Sequence, residues 1–251
     1  MKRLLVIPAA GRGSRLGTST PKPLVQVNGR SMLDHLATLY EPFVDAVVVV
    51  AHPSFVGDVR QWAAGRRGHT IVTEQPEPTG MLDAVCLATP FVRDSQPDAI
   101  WITWADQVGI LAETLQRLAD AEITAPLPAL TLPTAMSANP YTHFERDANG
   151  RMLRLLQRRE NDRMPASGES DIGLFALRRE TFEIDLQTYA RDVAAGSGTG
   201  ERNFVPFVPW LARTKEVRTI PSTDPMERVG INTPQELEQV SAWLRTRKPA
   251  P

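Results

Sequence analysis

The sequence predicts an α/β fold: a Rossmann-like, mostly parallel sheet flanked by helices, with an added antiparallel hairpin. Three observations carry this. Short apolar runs recur through the first half, at Leu4 to Ile7, Ala46 to Ala51, Thr70 to Thr73 and Ala99 to Thr103, and each is followed by a stretch of helical composition. The runs are continuous rather than alternating, the pattern of strands buried on both faces of a parallel sheet. Past Pro126 the character changes, because "YTHFERDANGRMLRLLQRRE" (141 to 160) reads as two strands joined at Asn149-Gly150, a strong hairpin signal.

The helices of the first half fall near 31 to 41, 55 to 64, 79 to 89 and 110 to 122. Beyond the hairpin, "DIGLFAL" (171 to 177) reads as one strand, the Gly/Ser-rich stretch 195 to 200 as a flexible, lid-like loop, and 203 to 213 as a helix. A last helix has a well-marked start, with Thr233 as N-cap, Pro234 at N1 and Glu236 completing a capping box. The tail "RTRKPAP" is expected to fray.

Composition narrows the function classes. With 251 residues, 42% of them hydrophobic, the chain can bury a core in a single large domain. Lys plus Arg (28) nearly balance Asp plus Glu (29), so global charge argues against nucleic acid or an anionic membrane as partner, and any anion site must be local. The start Met-Lys-Arg runs into an apolar stretch too brief for a signal sequence, and no run of eighteen apolar residues exists; a cytoplasmic protein is expected. Cys86 alone cannot make an internal disulfide or a thiolate metal site, and His35, His52, His69 and His143 lack zinc spacing.

The chemistry concentrates in Gly11-Arg12-Gly13-Ser14-Arg15-Leu16-Gly17, directly after the first strand. Glycines at a strand end let backbone amides approach phosphate oxygens. A dinucleotide fingerprint needs its third glycine at position 16, where Leu stands, and a P-loop needs Gly-Lys-Ser/Thr, whereas Lys22 sits between Pro21 and Pro23. A plain glycine turn with solvated cations stays open on these residues alone.

The stretch "PAAGRGSRLGTSTPKPL" (8 to 24) resembles the signature of sugar-1-phosphate nucleotidyltransferases, such as N-acetylglucosamine-1-phosphate uridylyltransferases and glucose-1-phosphate thymidylyltransferases. The resemblance implies a loop of Ala10, Gly11, Gly13 and Ser14 around the triphosphate of an NTP, with Arg15 and Lys22 as catalytic cations on the phosphates. Four later segments resemble the family in the same order. "EQPEPTGMLDAV" (74 to 85) is similar to its base-reading segment, implying Gln75, Thr79 and Gly80; here Pro78 replaces a glycine, which leaves base preference open. "IWITWADQV" places Asp106 where the family has its metal-binding Asp, and "RVGINTPQEL" places Asn232 where an Asn shares that metal, implying Mg²⁺. "GRMLRLLQRRE" is bent from the family pattern, with Gln157 and Arg158 where a Glu-Lys pair is usual. "SDIGLFAL" puts Asp171 and Gly173 against the acceptor.

The expectation is a single domain with an NTP-binding half (1 to 125), an acceptor-binding half (126 to 225) and a C-terminal metal-Asn segment with its helix (226 to 251). It would join an NMP moiety to a sugar 1-phosphate or sugar-like phosphate, with Arg158, Asp171 and Gly173 on the acceptor. No membrane or nucleic-acid partner is expected, a homo-oligomer is allowed, and no appended acyltransferase domain is expected. The alternatives are a cytidylyltransferase acting on an alcohol phosphate or phosphocholine, and a non-catalytic nucleotide-binding relative.

Overall fold

The first strand of the sheet, β1 (Arg3–Ala9), shows how the core is divided: Leu5 and Ile7 enter one hydrophobic cluster, Leu4 and Val6 the other. Alternate side chains point to opposite faces of a strand, so a run apolar at every position demands cover on both sides. The computed structural model describes residues 1–11, 13–66 and 68–247, with Ser14 described through its backbone alone. After β1 come a small hairpin, β2 (Gln26–Val27) and β3 (Arg30–Ser31), then α1 (Met32–Tyr40), β4 (Ala46–Ala51), α2 (Val56–Ala64) and β5 (His69–Glu74). There follow α3 (Met81–Cys86), α4 (Thr89–Ser95), β6 (Ala99–Thr103), α5 (Ala112–Ile123) and β7 (Leu130–Ala138). The remainder is β8 (Thr142–Arg146), β9 (Met152–Gln157), β10 (Ser167–Asp171), β11 (Leu174–Arg178), α6 (Gln187–Asp192), α7 (Phe207–Leu211), β12 (Val217–Pro221) and α8 (Pro234–Thr246).

The expected α/β fold is the observed one. Strands β6, β1, β4 and β5 are parallel neighbours, flanked by an antiparallel β11 against β6. Helices α1, α2, α5 and α8 cover one face through residues such as Leu36, Val59, Leu118 and Val240. Helices α3, α4, α6 and α7 cover the other through Val85, Val92, Tyr189 and Phe207. The hairpin β8–β9 is present, its turn closed by Gly150 N donating to Asp147 O at 3.0 Å.

Several expectations are corrected. The helix near 79 to 89 is two short helices, and the one over 203 to 213 contracts to α7. The strand "DIGLFAL" is broken: β10 and β11 run end to end along β7, with Asp171 opposite Thr134 and Ala176 opposite Thr131. Five steps on one strand thus face three on the other, so Ile172 and Gly173 bulge out at the carboxyl edge of β6; bulges of this kind re-aim side chains beside functional sites. Strands β7 and β12 and the β2–β3 hairpin were not foreseen. That hairpin turns on Asn28-Gly29, both with positive φ, the geometry an Asn-Gly pair favours.

Candidate active site

Parallel strands of an open sheet present their carboxyl ends to ligands, and there β1, β5 and β6 deliver the residues singled out in the sequence. The loop after β1 tightens into two short turns, Leu16 N on Gly13 O at 3.0 Å and Leu24 N on Pro21 O at 2.8 Å. Gly13 has φ +65, and a Cβ there would lie 2.6 Å from Lys22 Cβ. Only glycine lets the loop lie against the lysine stem. Lys22, rooted between Pro21 and the buried Pro23, is thereby aimed inward. Ala10 is buried, whereas Gly11 and Arg15 are exposed at the mouth of the site. Ser14 contributes backbone to the first turn; its side chain lies outside the described residues.

The two predicted metal ligands meet, although they are far apart in sequence. Lys22 Nζ donates to Asp106 Oδ2 at 2.5 Å and to Asn232 Oδ1 at 2.8 Å, and Arg15 Nη2 reaches the same Asn232 oxygen at 3.1 Å. The Asp106 carbonyl accepts from Ile231 N at 3.1 Å, docking the 230–232 segment onto the end of β6. Gly230 makes room, since a Cβ there would lie 3.3 Å from Asp106 Oδ1. One carboxylate oxygen and one amide oxygen converge on a single cationic centre. Such hard oxygen donors suit a divalent ion like Mg²⁺ that keeps waters and substrate oxygens in its other positions. Among the described residues no group of three or more His, Cys, Asp or Glu could hold a metal ion.

Of the residues predicted to read the base, Gln75 is buried at the end of β5, and its Nε2 donates to Gly80 O at 3.0 Å. It props the segment where Thr79 is exposed. Gly80 has φ +131, and a Cβ there would come within 2.5 Å of the Arg202 backbone. Arg202 N donates to Thr79 O at 2.8 Å and Leu82 N to Arg202 O at 3.0 Å. The 195–202 loop is therefore tied down rather than lid-like: Glu160 accepts from Gly198 N at 2.7 Å, Thr199 Oγ1 at 2.6 Å and Asn203 Nδ2 at 2.9 Å. These bonds hold the Glu160 carboxyl below its usual pKa, the Thr199 hydroxyl foremost.

Of the residues predicted to bind the acceptor, Asp171 accepts from Gly173 N through Oδ1 at 3.0 Å and from Thr142 Oγ1 through Oδ2 at 2.9 Å. Burial raises its pKa from the ordinary carboxylate value despite these bonds. Gly173, in the bulge, has φ +75 and packs so tightly on Trp104 that a Cβ would lie 2.5 Å from Cδ1 of the indole. Arg158 is exposed, and its Nη2 donates to the carbonyls of Asn139 at 2.9 Å and Pro140 at 3.1 Å.

A family described as the MobA-like NTP transferase domain matches residues 5–170. The chain belongs to that family. This NTP transferase domain is also similar to bifunctional GlmU proteins. With that of Alcanivorax borkumensis it shares 26% identity over 96% of this chain and 51% of that protein. The figures are 29% over 96% and 52% for Pelotomaculum thermopropionicum, and 31% over 76% and 41% for Cupriavidus necator. The chain spans about half the length of the curated relatives it matches first. Its fold is like that of the inositol-1-phosphate CTP transferase from T. maritima, with a TM-score of 0.72 at 13% identity, over 99% of this chain and 98% of that one.

The family match ends before Asn232, and the residues that carry this segment of the transferase to Asp106 are ones the sequence reading missed or misassigned. Glu227, fully buried, accepts from Leu111 N at 2.9 Å and Thr223 N at 2.7 Å. The spacing Asp224-x-x-Glu227 is a capping-box signal that was available for it. At α8, Thr233 caps as expected, but Glu236 does not close a box on the N-cap N–H: its Oε2 accepts from Asn232 N at 2.8 Å. Glu236 thus fixes the backbone of the candidate metal ligand. No helix among the described residues is long and apolar enough to cross a membrane.

Proposed function

We propose that this domain transfers a nucleotidyl group from an NTP to the phosphate of a small acceptor, a sugar 1-phosphate or a sugar-like phosphate, releasing pyrophosphate. The observation that carries the reading is the convergence of Arg15, Lys22, Asp106 and Asn232 at one point, with a glycine-rich loop on one side and the 230–232 segment on the other. An acceptor phosphate oxygen forms the new bond to the α-phosphorus while the bond from that phosphorus to the β-phosphate oxygen breaks. A phosphate monoester is already largely ionised at neutral pH, so no side chain need act as general base. The protein's work is positioning and charge neutralisation. Arg15 and Lys22 serve the α-phosphate and the departing pyrophosphate; Gln75, Thr79 and Gly80 flank the base; Arg158, Asp171 and Gly173 lie on the acceptor side. Mg²⁺ held by Asp106 and Asn232 would supply further neutralisation of the phosphates when bound.

Cytidylyl transfer to an alcohol phosphate is the second reading. It is favoured by the departure at Gln157-Arg158, and a CTP transferase named for inositol 1-phosphate uses the same fold at 13% identity. Pyrophosphate release, assayed with four NTPs against sugar 1-phosphates, alcohol phosphates and phosphocholine, with Mg²⁺ or EDTA, tests both readings. Turnover with one NTP and one acceptor class in Mg²⁺ supports transfer and chooses between them. Nucleotide binding without turnover across the panel would favour a non-catalytic relative.

A further inference from the structure

Resting on the assignment of Asp106 and Asn232 as metal ligands, we propose that the Lys22 ammonium occupies the metal's place in the unliganded protein. The divalent ion then enters together with the triphosphate rather than ahead of it. The ammonium already holds an oxygen of each candidate ligand: Asp106 Oδ2 accepts from Lys22 Nζ at 2.5 Å, and Asn232 Oδ1 accepts from Lys22 at 2.8 Å and from Arg15 at 3.1 Å. A dication cannot join them while the ammonium stays, because like charges at contact distance repel strongly in a partly buried site.

Nor can the lysine leave without a new partner. Its stem lies against Gly13, where a Cβ would come 2.6 Å from Lys22 Cβ, and its backbone is stiffened by Pro21 and Pro23. Asp106 is its ion-pair partner among the described residues. Among the described residues, the side chains meeting at this point are the two cations Lys22 and Arg15, the Asp106 carboxylate and the Asn232 amide, so an arriving dication would meet an ammonium already in place. A triphosphate reverses the balance. Its oxygens would take Lys22 and Arg15 and so free Asp106 and Asn232, the two residues that would hold the ion. Metal and nucleotide are then positively coupled, and Lys22 is the element that couples them.

The test reads metal binding directly. Free Mn²⁺ is followed by its electron paramagnetic resonance signal as protein is added without nucleotide. Lys22→Met keeps the stem against Gly13 and removes the charge; it should bind Mn²⁺ more tightly than wild type, on the order of tenfold. Adding Asp106→Asn to that variant should return binding to the weak level. Equal Mn²⁺ affinity for wild type and Lys22→Met overturns the displacement. Tighter binding that survives Asp106→Asn would overturn the metal-site assignment itself, a separate failure. Thermal melts confirm that each variant is folded, and Lys22→Gln carries the same expectation should the Met variant not fold.

Discussion

The sheet has two unlike halves. Strands β1, β4 and β6 are parallel and almost wholly buried, and the candidate residues Lys22 and Asp106 follow the carboxyl ends of β1 and β6. Strands β7, β10, β11 and β12 mix parallel and antiparallel pairing, with a bulge at Ile172-Gly173 and a separate β8–β9 ribbon packed on β10. Beside the first half the candidate cations Arg15 and Lys22 converge on Asp106 and Asn232. In the second, arginines hold up structure: Arg146 pairs with Glu169 at 2.6 Å, and Arg158 grips two carbonyls. The difference matches the proposed division of labour: every NTP donor carries the same triphosphate, which a compact, local set of residues can serve, while acceptors differ, and the half proposed to bind them is built by long-range contacts that can vary.

The strongest way to break this picture is at the phosphate end. Asp106→Asn should abolish pyrophosphate release, while stability changes by only about 1 kcal/mol, as for substitutions outside the core. Retained turnover, or activity that survives EDTA, would remove Asp106 from the chemistry. Arg15→Ala and Lys22→Ala come next, each lowering kcat on the order of 10²- to 10³-fold, the usual cost of deleting one transition-state contact. A loss confined to KM would mean that these side chains only bind the ground state.

The acceptor end should respond less, and in a different parameter. A guanidinium fork can grip two phosphate oxygens, and Arg158 has donors beyond the Nη2 spent on Asn139 and Pro140. Arg158→Ala is expected to raise the acceptor KM about tenfold with little change in the NTP KM. An unchanged acceptor KM would leave Arg158 a scaffold for the 139–141 turn. Asp171 gives a pH-dependent effect. Its folded pKa is raised by burial from the ordinary 3.8, so the folded state holds that proton more tightly than the unfolded one. Its contribution is full below about pH 3.8 and is lost as pH rises through the folded value. Melting temperatures should show Asp171→Asn gaining on wild type as pH climbs from 4 to 7, and a constant difference would refute the shift.

What was legible in the sequence follows the same division. Continuous apolar runs exposed the parallel strands, and Asp106 was singled out through the resemblance of "IWITWADQV" to the family's metal-binding segment. Strand β7 escaped because Pro133 and small polar residues interrupt "LTLPTAMSA", and the break at Gly173 escaped because an apolar run cannot show where register slips. Asn232 was singled out through the resemblance of "RVGINTPQEL" to the family's segment. Glu236 was read as half of a capping box, since the pattern alone cannot say which N–H the carboxylate takes. The tie between Glu160 and the 195–202 loop joins residues about forty apart, beyond any local signal.

That tie gives the smallest prediction, the one that crosses the division. Glu160 belongs to the acceptor half by sequence, yet it holds the loop whose Arg202 backbone is paired with Thr79 and Leu82 on the base side. Arg202 also pairs with Asp83, and Gly80 is pressed against the Arg202 backbone. Loosening Glu160 should therefore be felt at the nucleotide rather than at the acceptor beside it. Glu160→Ala is expected to raise the NTP KM a few-fold and to leave the acceptor KM near wild type. Arg159→Ala is the control: its pair with Glu201 at 3.0 Å is exposed on both sides, and exposed pairs contribute little, so it should change neither constant. A Glu160→Ala protein with an unaltered NTP KM would show that the base-side segment stands without the loop, and the two halves would then be independent at this point.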